Sequence, residues 1–284
     1  MEMLGVQDVV WEEGKARDGW LYHEYFGGMH IYHGGREDVG VEFSGSGCRM
    51  LESCNDNAFD WVGLFRYIVD QGPDMNISRL DVAGDDHDAV LTMDKLYRHT
   101  QQRKYICKAR RCVWMAGDEQ SIVFGATSSD TRLRIYNKAL ERGVDGPWIR
   151  CEFQLRDKAA DSFILNWLQR GGQIGETYGG VLLNYLRYVT SCPMDCQNHH
   201  DRLHTTGWWS DFVATSEKIK NITVGGLEYN YGNLADFVEG QCAGALRAYV
   251  AVNGGSVDKL LEVISKAPIG KKHKILLREM GVTI

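Results

Sequence analysis

Proline is scarce in this sequence, with four in 284 residues, and no apolar run approaches the roughly 18 residues that a membrane-crossing helix needs. The first shortage argues against a proline-rich linker, and no internal repeat or low-complexity segment takes its place. The second absence excludes a spanning helix. A basic leader is missing as well: the N-terminal segment carries Glu2, Asp8, Glu12 and Glu13, unlike a signal peptide, so a cytoplasmic location without membrane contact is expected. Acid is absent from residues 95–111, where Lys95, Arg98, Arg103, Lys104, Lys108, Arg110 and Arg111 stand without a single Asp or Glu.

What is present points to a globular chain with a substantial core, since 44% of residues are apolar and 11% aromatic. Eight cysteines are scattered through apolar or basic surroundings, so reduced thiols are expected rather than a disulfide scaffold. Cys192, Cys196, His199, His200 and His204 have a spacing that suits either a zinc site or a plain polar loop. The net charge of −6 is unevenly spread. Residues 1–94 hold 6 Lys and Arg against 19 Asp and Glu, and residues 95–284 hold the other 26 against 19. Seven cations in 17 residues repel one another unless a polyanion lies across them, which suits a phosphate backbone; a solvated face is the alternative.

Alternation of apolar and polar positions predicts antiparallel strands over 20–26, 29–33, 39–44, 77–83, 105–115, 121–126, 133–136 and 148–155. Helical spacing predicts helices over 58–69, 91–101, 139–143, 159–168, 179–189, 209–217, 234–252, 256–266 and 271–280. The fold class is α+β: a largely antiparallel sheet with packed helices over residues 1–170, then a helical region over 171–284.

Two strands carry charge on one face. Alternation aligns Arg79 with Asp81, and Arg150 with Glu152, Gln154 and Arg156. Ion-pair ladders would explain both strands. Alternatively, Asp81 and Glu152, with Glu42 as a third carboxylate, hold a hard divalent ion such as Mg2+ or Mn2+, with Asp85 and Asp86 as outer ligands or turn caps. Arg134 and Lys138 are candidates for phosphate clamping. Trp208 and Trp209 suit either core anchoring or base stacking.

Several segments in one order resemble the replication initiation factor family. They are Gly40-Val41-Glu42-Phe43-Ser44-Gly45, Ser78-Arg79-Leu80-Asp81, Leu133-Arg134-Ile135-Tyr136-Asn137-Lys138, Trp148 to Arg156, and Asn184-Tyr185-Leu186-Arg187-Tyr188. The resemblance implies a sheet-based nuclease that starts rolling-circle replication. Such an enzyme nicks one strand at an origin, stays joined to the 5′ phosphate through tyrosine and leaves a 3′ hydroxyl. It also implies metal at Asp81, Glu152 and Glu42, and DNA contacts from Arg79, Lys138, Arg134, Arg150, Lys104, Lys108 and Arg110. Tyr185 matches the family's tyrosine motif and is nominated as nucleophile ahead of Tyr178 and Tyr188, with Tyr188 read as packing. Partners implied are origin DNA, single-stranded or cruciform, a second copy of the chain and a host helicase. No two histidines flank a single residue here, which disfavours the histidine-type nickases. Relatives often carry an N-terminal helix-turn-helix domain, whereas this chain opens almost directly on strands. Two other readings remain: an origin-binding protein that does not cut, and a metal-dependent nuclease using water.

Overall fold

The structure is a computed structural model that describes residues 4, 6, 9–55, 59–115, 117, 120–193, 203–218, 235, 238–267, 269, 274, 276–278 and 280–282. The chain divides into two compact units, Met1–Ile222 and Thr223–Ile284.

The first unit opens with the expected antiparallel meander: β1 (Glu12–Glu13), β2 (Tyr22–Phe26), β3 (Met29–His33) and β4 (Gly40–Phe43), paired in that order. Helix α1 (Gly45–Cys54) follows, and the sequence reading missed it because its Gly-Ser-Gly opening has poor helix propensity. Tertiary contact overrides that weakness. Ser44 caps the helix, its Oγ accepting from the Gly47 N–H at 3.2 Å. A side chain on Gly28 would stand 2.4 Å from the Gly47 nitrogen, and one on Gly47 would stand 2.2 Å from the Gly28 carbonyl oxygen. Only glycine lets the two backbones touch. Met29 and Leu51 are fully buried between helix and meander.

After α2 (Trp61–Asp70), a five-stranded antiparallel sheet runs in the order β5-β10-β9-β8-β7. Its strands are β5 (Arg79–Asp86), β7 (Cys112–Met115), β8 (Ser121–Phe124), β9 (Thr131–Asn137) and β10 (Ile149–Arg156). Helices α3 (Met93–Gln101), α4 (Lys138–Arg142), α5 (Lys158–Gln169), α6 (Ile174–Tyr185) and α7 (Gly207–Lys218) complete the unit with the short strands β6 (Tyr105–Cys107) and β11 (Leu186–Tyr188). One face of the large sheet supplies the main core, in which Cys151, Phe153, Leu133, Ile135, Ile122 and Phe124 are fully buried with Leu182, Tyr188 and Trp209. Burying a side chain such as Phe153 stabilises by about 1.5–3 kcal/mol.

Two expected elements differ. Residues 105–115, read as a single strand, split at 108–111. β6 pairs with β11 in a two-stranded sheet, whereas β7 joins the large sheet through β8. The helix expected over 179–189 ends at Tyr185, because residues 186–188 pair with β6 and bury Leu186 and Tyr188 there. Arg187 and Tyr188 therefore lie on a strand.

The helices of 174–218, which the sequence reading grouped with the tail, belong to the first unit. Tyr178, Leu182 and Tyr185 of α6 and Trp209, Phe212 and Val213 of α7 enter the same core as the sheet. Trp209 is fully buried, its Nε1–H donating to the Leu186 carbonyl at 3.1 Å, and the half-buried Trp208 packs on Tyr188 and His99. Both tryptophans are core anchors. The second unit contains a π-helical turn (Val238–Cys242), α8 (Ala243–Val252) and α9 (Asp258–Lys266). Among the described residues, no helix is long and apolar enough to cross a membrane.

Candidate active site

Burial alternates strictly along all eight residues of β10. Ile149, Cys151, Phe153 and Leu155 enter the core, so Arg150, Glu152, Gln154 and Arg156 line the other face. Pairing register aligns the neighbours. Gln154 lies opposite Asp81 on one side and Arg132 on the other, while Glu152 lies between Ala83 and Arg134. Asp81 and Glu152 are therefore diagonal neighbours on one face, about 7–8 Å apart along such a diagonal.

Their oxygens are engaged. Arg79 donates from Nε to Asp81 Oδ1 at 2.8 Å and from Nη2 to the other oxygen, and Gln154, with its amide oxygen turned toward the guanidinium, accepts at 2.8 Å. The hydrogen bond to Asp81 raises the Arg79 pKa most; partial burial opposes it, and the charges of Asp81, Glu42 and Glu152 add to it. All three carboxylates expected to hold a metal thus act on this one guanidinium. Glu42 does so through space, because it lies on β4 opposite His30 and is ion-paired with Arg17.

Glu152 has a second partner. Tyr136, on β9 opposite Arg150, is only 3% exposed and donates its hydroxyl to Glu152 Oε2 at 3.2 Å. The Arg134 guanidinium stands 4.1 Å from the centre of its ring and the Lys138 ammonium 5.4 Å. Burial pushes the phenol pKa up, the charge of Glu152 adds to that, and Arg150 opposes it. Lys138 opens α4 behind the Asn137 cap, is almost fully buried and pairs with Glu141.

The face carries more cation than acid. Arg156 lies directly opposite Arg79, and like charges placed so repel. Arg132 Nε and Arg156 Nε are buried without a hydrogen-bond partner among the described residues. A cleft lined by Arg79, Arg132, Arg134, Glu152 and Gln154 opens between them. Arg150 is committed elsewhere: its Nε and Nη2 each donate at 2.7 Å to Asp85, which also accepts from Trp148 Nε1 at 2.8 Å. That is a single cross-strand ion pair of the kind from which such a ladder is built.

The nominated tyrosines lie apart from these carboxylates. Tyr178 is fully buried and donates to the Cys151 carbonyl at 2.7 Å, and the buried Tyr188 hydroxyl meets that of Thr100 at 3.0 Å. The Tyr185 ring packs edge-on against Phe153, 5.4 Å between centres, which sets it on the core side of the sheet. Its hydroxyl has the carbonyls of Thr131 and Phe124 within 3.1 and 3.2 Å. It opens on a separate cleft that it shares with Lys108 and Arg110, while Lys104 is half-buried in the preceding strand connection. Burial pushes the Tyr185 phenol pKa up, and the thiol of Cys107 adds to that.

Sequence reasoning therefore placed Arg156 on the charged face but gave no role to Tyr136 or Arg132. Each shares the alternation parity of a residue already singled out, which was the available signal. Cys196, His199 and His200 lie outside the described residues. Among those described, no group of three or more His, Cys, Asp or Glu is arranged to hold a metal ion.

Residues 75–264 match the family model described as replication initiation factor. The fold matches the structure of a rolling circle replication initiator protein from Geobacillus stearothermophilus, with a TM-score of 0.66, 25% identity, and coverage of 77% of this chain and 86% of that one. No curated protein sequence matches. The matched segment spans the large sheet, α5 to α7 and much of the tail, so the chain belongs to the replication initiation factor family and shares its fold with a rolling-circle initiator.

Proposed function

We propose that the chain starts rolling-circle replication by nicking one strand of origin DNA, with Tyr136, rather than Tyr185, as the nucleophile. The observation that carries this reading is the Tyr136–Glu152 hydrogen bond within a face of arginines. Tyr136 is the tyrosine whose hydroxyl already touches a carboxylate of that face, whereas the Tyr185 hydroxyl bonds backbone carbonyls on the core side.

The scissile phosphate sits in the cleft between Arg132, Arg134 and Arg79, whose guanidinium groups take its non-bridging oxygens. Tyr136 Oη forms a bond to phosphorus and passes its proton to Glu152, while the bond from phosphorus to the 3′ oxygen breaks. The 3′ oxygen takes up a proton and leaves as a free hydroxyl, and the 5′ phosphate stays on the tyrosine. Lys138 and Arg134, close to the phenol ring, stabilise negative charge on its oxygen as the proton leaves.

Asp81 and Glu152 have the oxygen chemistry that Mg2+ or Mn2+ requires, and they are diagonal neighbours on one face of the sheet. A bound ion would polarise the phosphate and offset charge in the transition state. Holding it requires Asp81 to release Arg79, leaving that guanidinium for DNA.

The test is a denaturing gel of labelled single-stranded origin oligonucleotide incubated with Mn2+ and with the wild type, Tyr136→Phe or Tyr185→Phe. A protein-sized labelled adduct is expected from the wild type and Tyr185→Phe, and none from Tyr136→Phe. An adduct that survives Tyr136→Phe and disappears with Tyr185→Phe overturns the assignment. Cutting without an adduct makes water the nucleophile, and absence of cutting leaves an origin-binding protein.

A further inference from the structure

The cleft beside Tyr185 shares no lining residue with the cleft on the carboxylate face and is built differently. Its wall is the 108–111 connection, which backbone contacts pin at both ends. The Lys108 N–H donates to the Tyr185 carbonyl at 3.0 Å, and the Gly125 N–H donates to the Arg111 carbonyl at 2.9 Å. Between them, Ala109 N–H donates to Cys107 Sγ at 3.3 Å.

The floor is formed by the end of β8 and the start of β9. Gly125 there has φ of +104°, and a side chain on it would stand 2.9 Å from the Thr131 carbonyl oxygen and 3.1 Å from the Tyr185 hydroxyl. Glycine keeps the floor open. Ser129 Oγ accepts from the Ala126 N–H at 3.1 Å, which leaves its own proton to donate, and the Tyr185 hydroxyl lies at the bottom of the same cleft.

Three cations, Lys108, Arg110 and Arg111, are exposed on the rigid wall. Among the described residues no acid pairs with any of them, and none of the cleft's lining residues is acidic. Elsewhere in this unit Arg79, Arg150 and Lys138 each have a carboxylate partner. Held on a fixed backbone without counter-charge, three cations and the Ser129 hydroxyl donor form an anion site, while the Tyr185 hydroxyl proton is already given to the backbone carbonyls below. The charges come from three residues of one connection, Lys108, Arg110 and Arg111, rather than from a single point.

We propose that this cleft is a second phosphodiester-binding subsite, which grips the backbone of single-stranded DNA away from the Tyr136 face. The identity of the ligand rests on the DNA-nicking reading; the geometry of the subsite does not depend on Tyr136.

The test is equilibrium binding of the full chain to a dT oligonucleotide with hydroxyl ends, between 50 and 200 mM salt. Each phosphate contact on a single strand contributes about −0.7 to the slope of log K against log salt. The variant Lys108→Gln/Arg110→Gln/Arg111→Gln is therefore expected to flatten that slope by about 2. A control that removes three exposed cations on the helices or at their ends, Arg66→Gln/Lys158→Gln/Arg170→Gln, is expected to flatten it by less than about 0.5. Ser129→Ala should weaken binding roughly threefold to tenfold at fixed salt, with the slope unchanged. Thermal unfolding of each variant checks that the fold is kept.

Equal slopes for the cleft variant and the wild type overturn the proposal. So does unchanged affinity in Ser129→Ala, which would reduce the loop to diffuse attraction. Selective gain from a 5′-phosphorylated oligonucleotide, or competition by millimolar inorganic phosphate, would make the cleft a terminal-phosphate pocket and overturn the backbone assignment. A chain that shows the slope change yet forms no tyrosyl adduct keeps this inference and loses the nicking one; a chain that nicks without the slope change does the reverse.

Discussion

Asp85 offers the clearest test of whether the charged strands carry structure as well as chemistry. Its carboxylate accepts three hydrogen bonds, two from Arg150 and one from Trp148, and the side chains of Asp85 and Arg150 are 27% and 24% exposed. Asp85→Ala removes all three and leaves a half-buried guanidinium without its partner. Breaking a fully buried pair costs about 3–5 kcal/mol, and an exposed pair is worth about 0–1 kcal/mol. A pair three-quarters covered falls between, at about 2–4 kcal/mol. In a unit of 222 residues that lowers the melting temperature by about 5–15 °C.

Urea unfolding of Asp85→Ala, Arg150→Met and the double variant supplies the cycle, with an expected coupling of about 1.5–3 kcal/mol. The pH dependence has a definite sign. Burial raises the Asp85 pKa, but the hydrogen bond and charge of Arg150, with the Trp148 bond, outweigh it and hold the group below its ordinary 3.8. A depressed folded-state pKa contributes stability above the ordinary value and loses it as pH falls through the folded one. The gap between wild type and Asp85→Ala should thus be flat near neutrality and close below about pH 4. A cost under about 0.5 kcal/mol with no coupling would refute the reasoning and return Arg150 to the DNA contacts.

Two further outcomes follow from local geometry. Gly125→Ala should cost about 2–3 kcal/mol in denaturant unfolding, because alanine is strained at φ of +104° and would crowd the Thr131 carbonyl; a change within about 0.5 kcal/mol would mean that the cleft floor rearranges freely. The Cys107 and Cys112 thiols are pushed up to about 11 by burial. At pH 8 they should alkylate roughly a hundredfold more slowly than an ordinary thiol, and rapid modification of the folded chain would contradict their packing.

The two charged strands were legible because a period of two is the simplest signal a sequence carries, and it aligned Asp81, Glu152, Arg79 and Arg150 before any pairing was known. Their neighbours were not legible, since register decides which residue of one strand meets which of the next. Tyr136 shares parity with Arg134, yet only the pairing of β9 with β10 brings it to Glu152. Tyr185 drew attention as a tyrosine on a helix in a matching motif, and helical spacing says nothing about which side of a sheet the helix covers. The split of residues 105–115 was hidden for a similar reason: alternation continues through the basic loop although the backbone changes sheets. Helix α1 escaped because a contact between two glycine backbones leaves no mark in propensity.

Strand β10 places the core on its odd-numbered residues and the chemistry on its even ones, without a bulge between Ile149 and Arg156. Point substitutions can drift on either side independently. A single inserted or deleted codon cannot, because every side chain beyond it would change faces and drive Glu152 or Arg156 into the space of Phe153 and Leu155. The length of this segment is consequently a structural constraint of its own, separate from the identity of its residues. Divergence in the family should accumulate there as replacements, while gains and losses of sequence collect in the connections on either side.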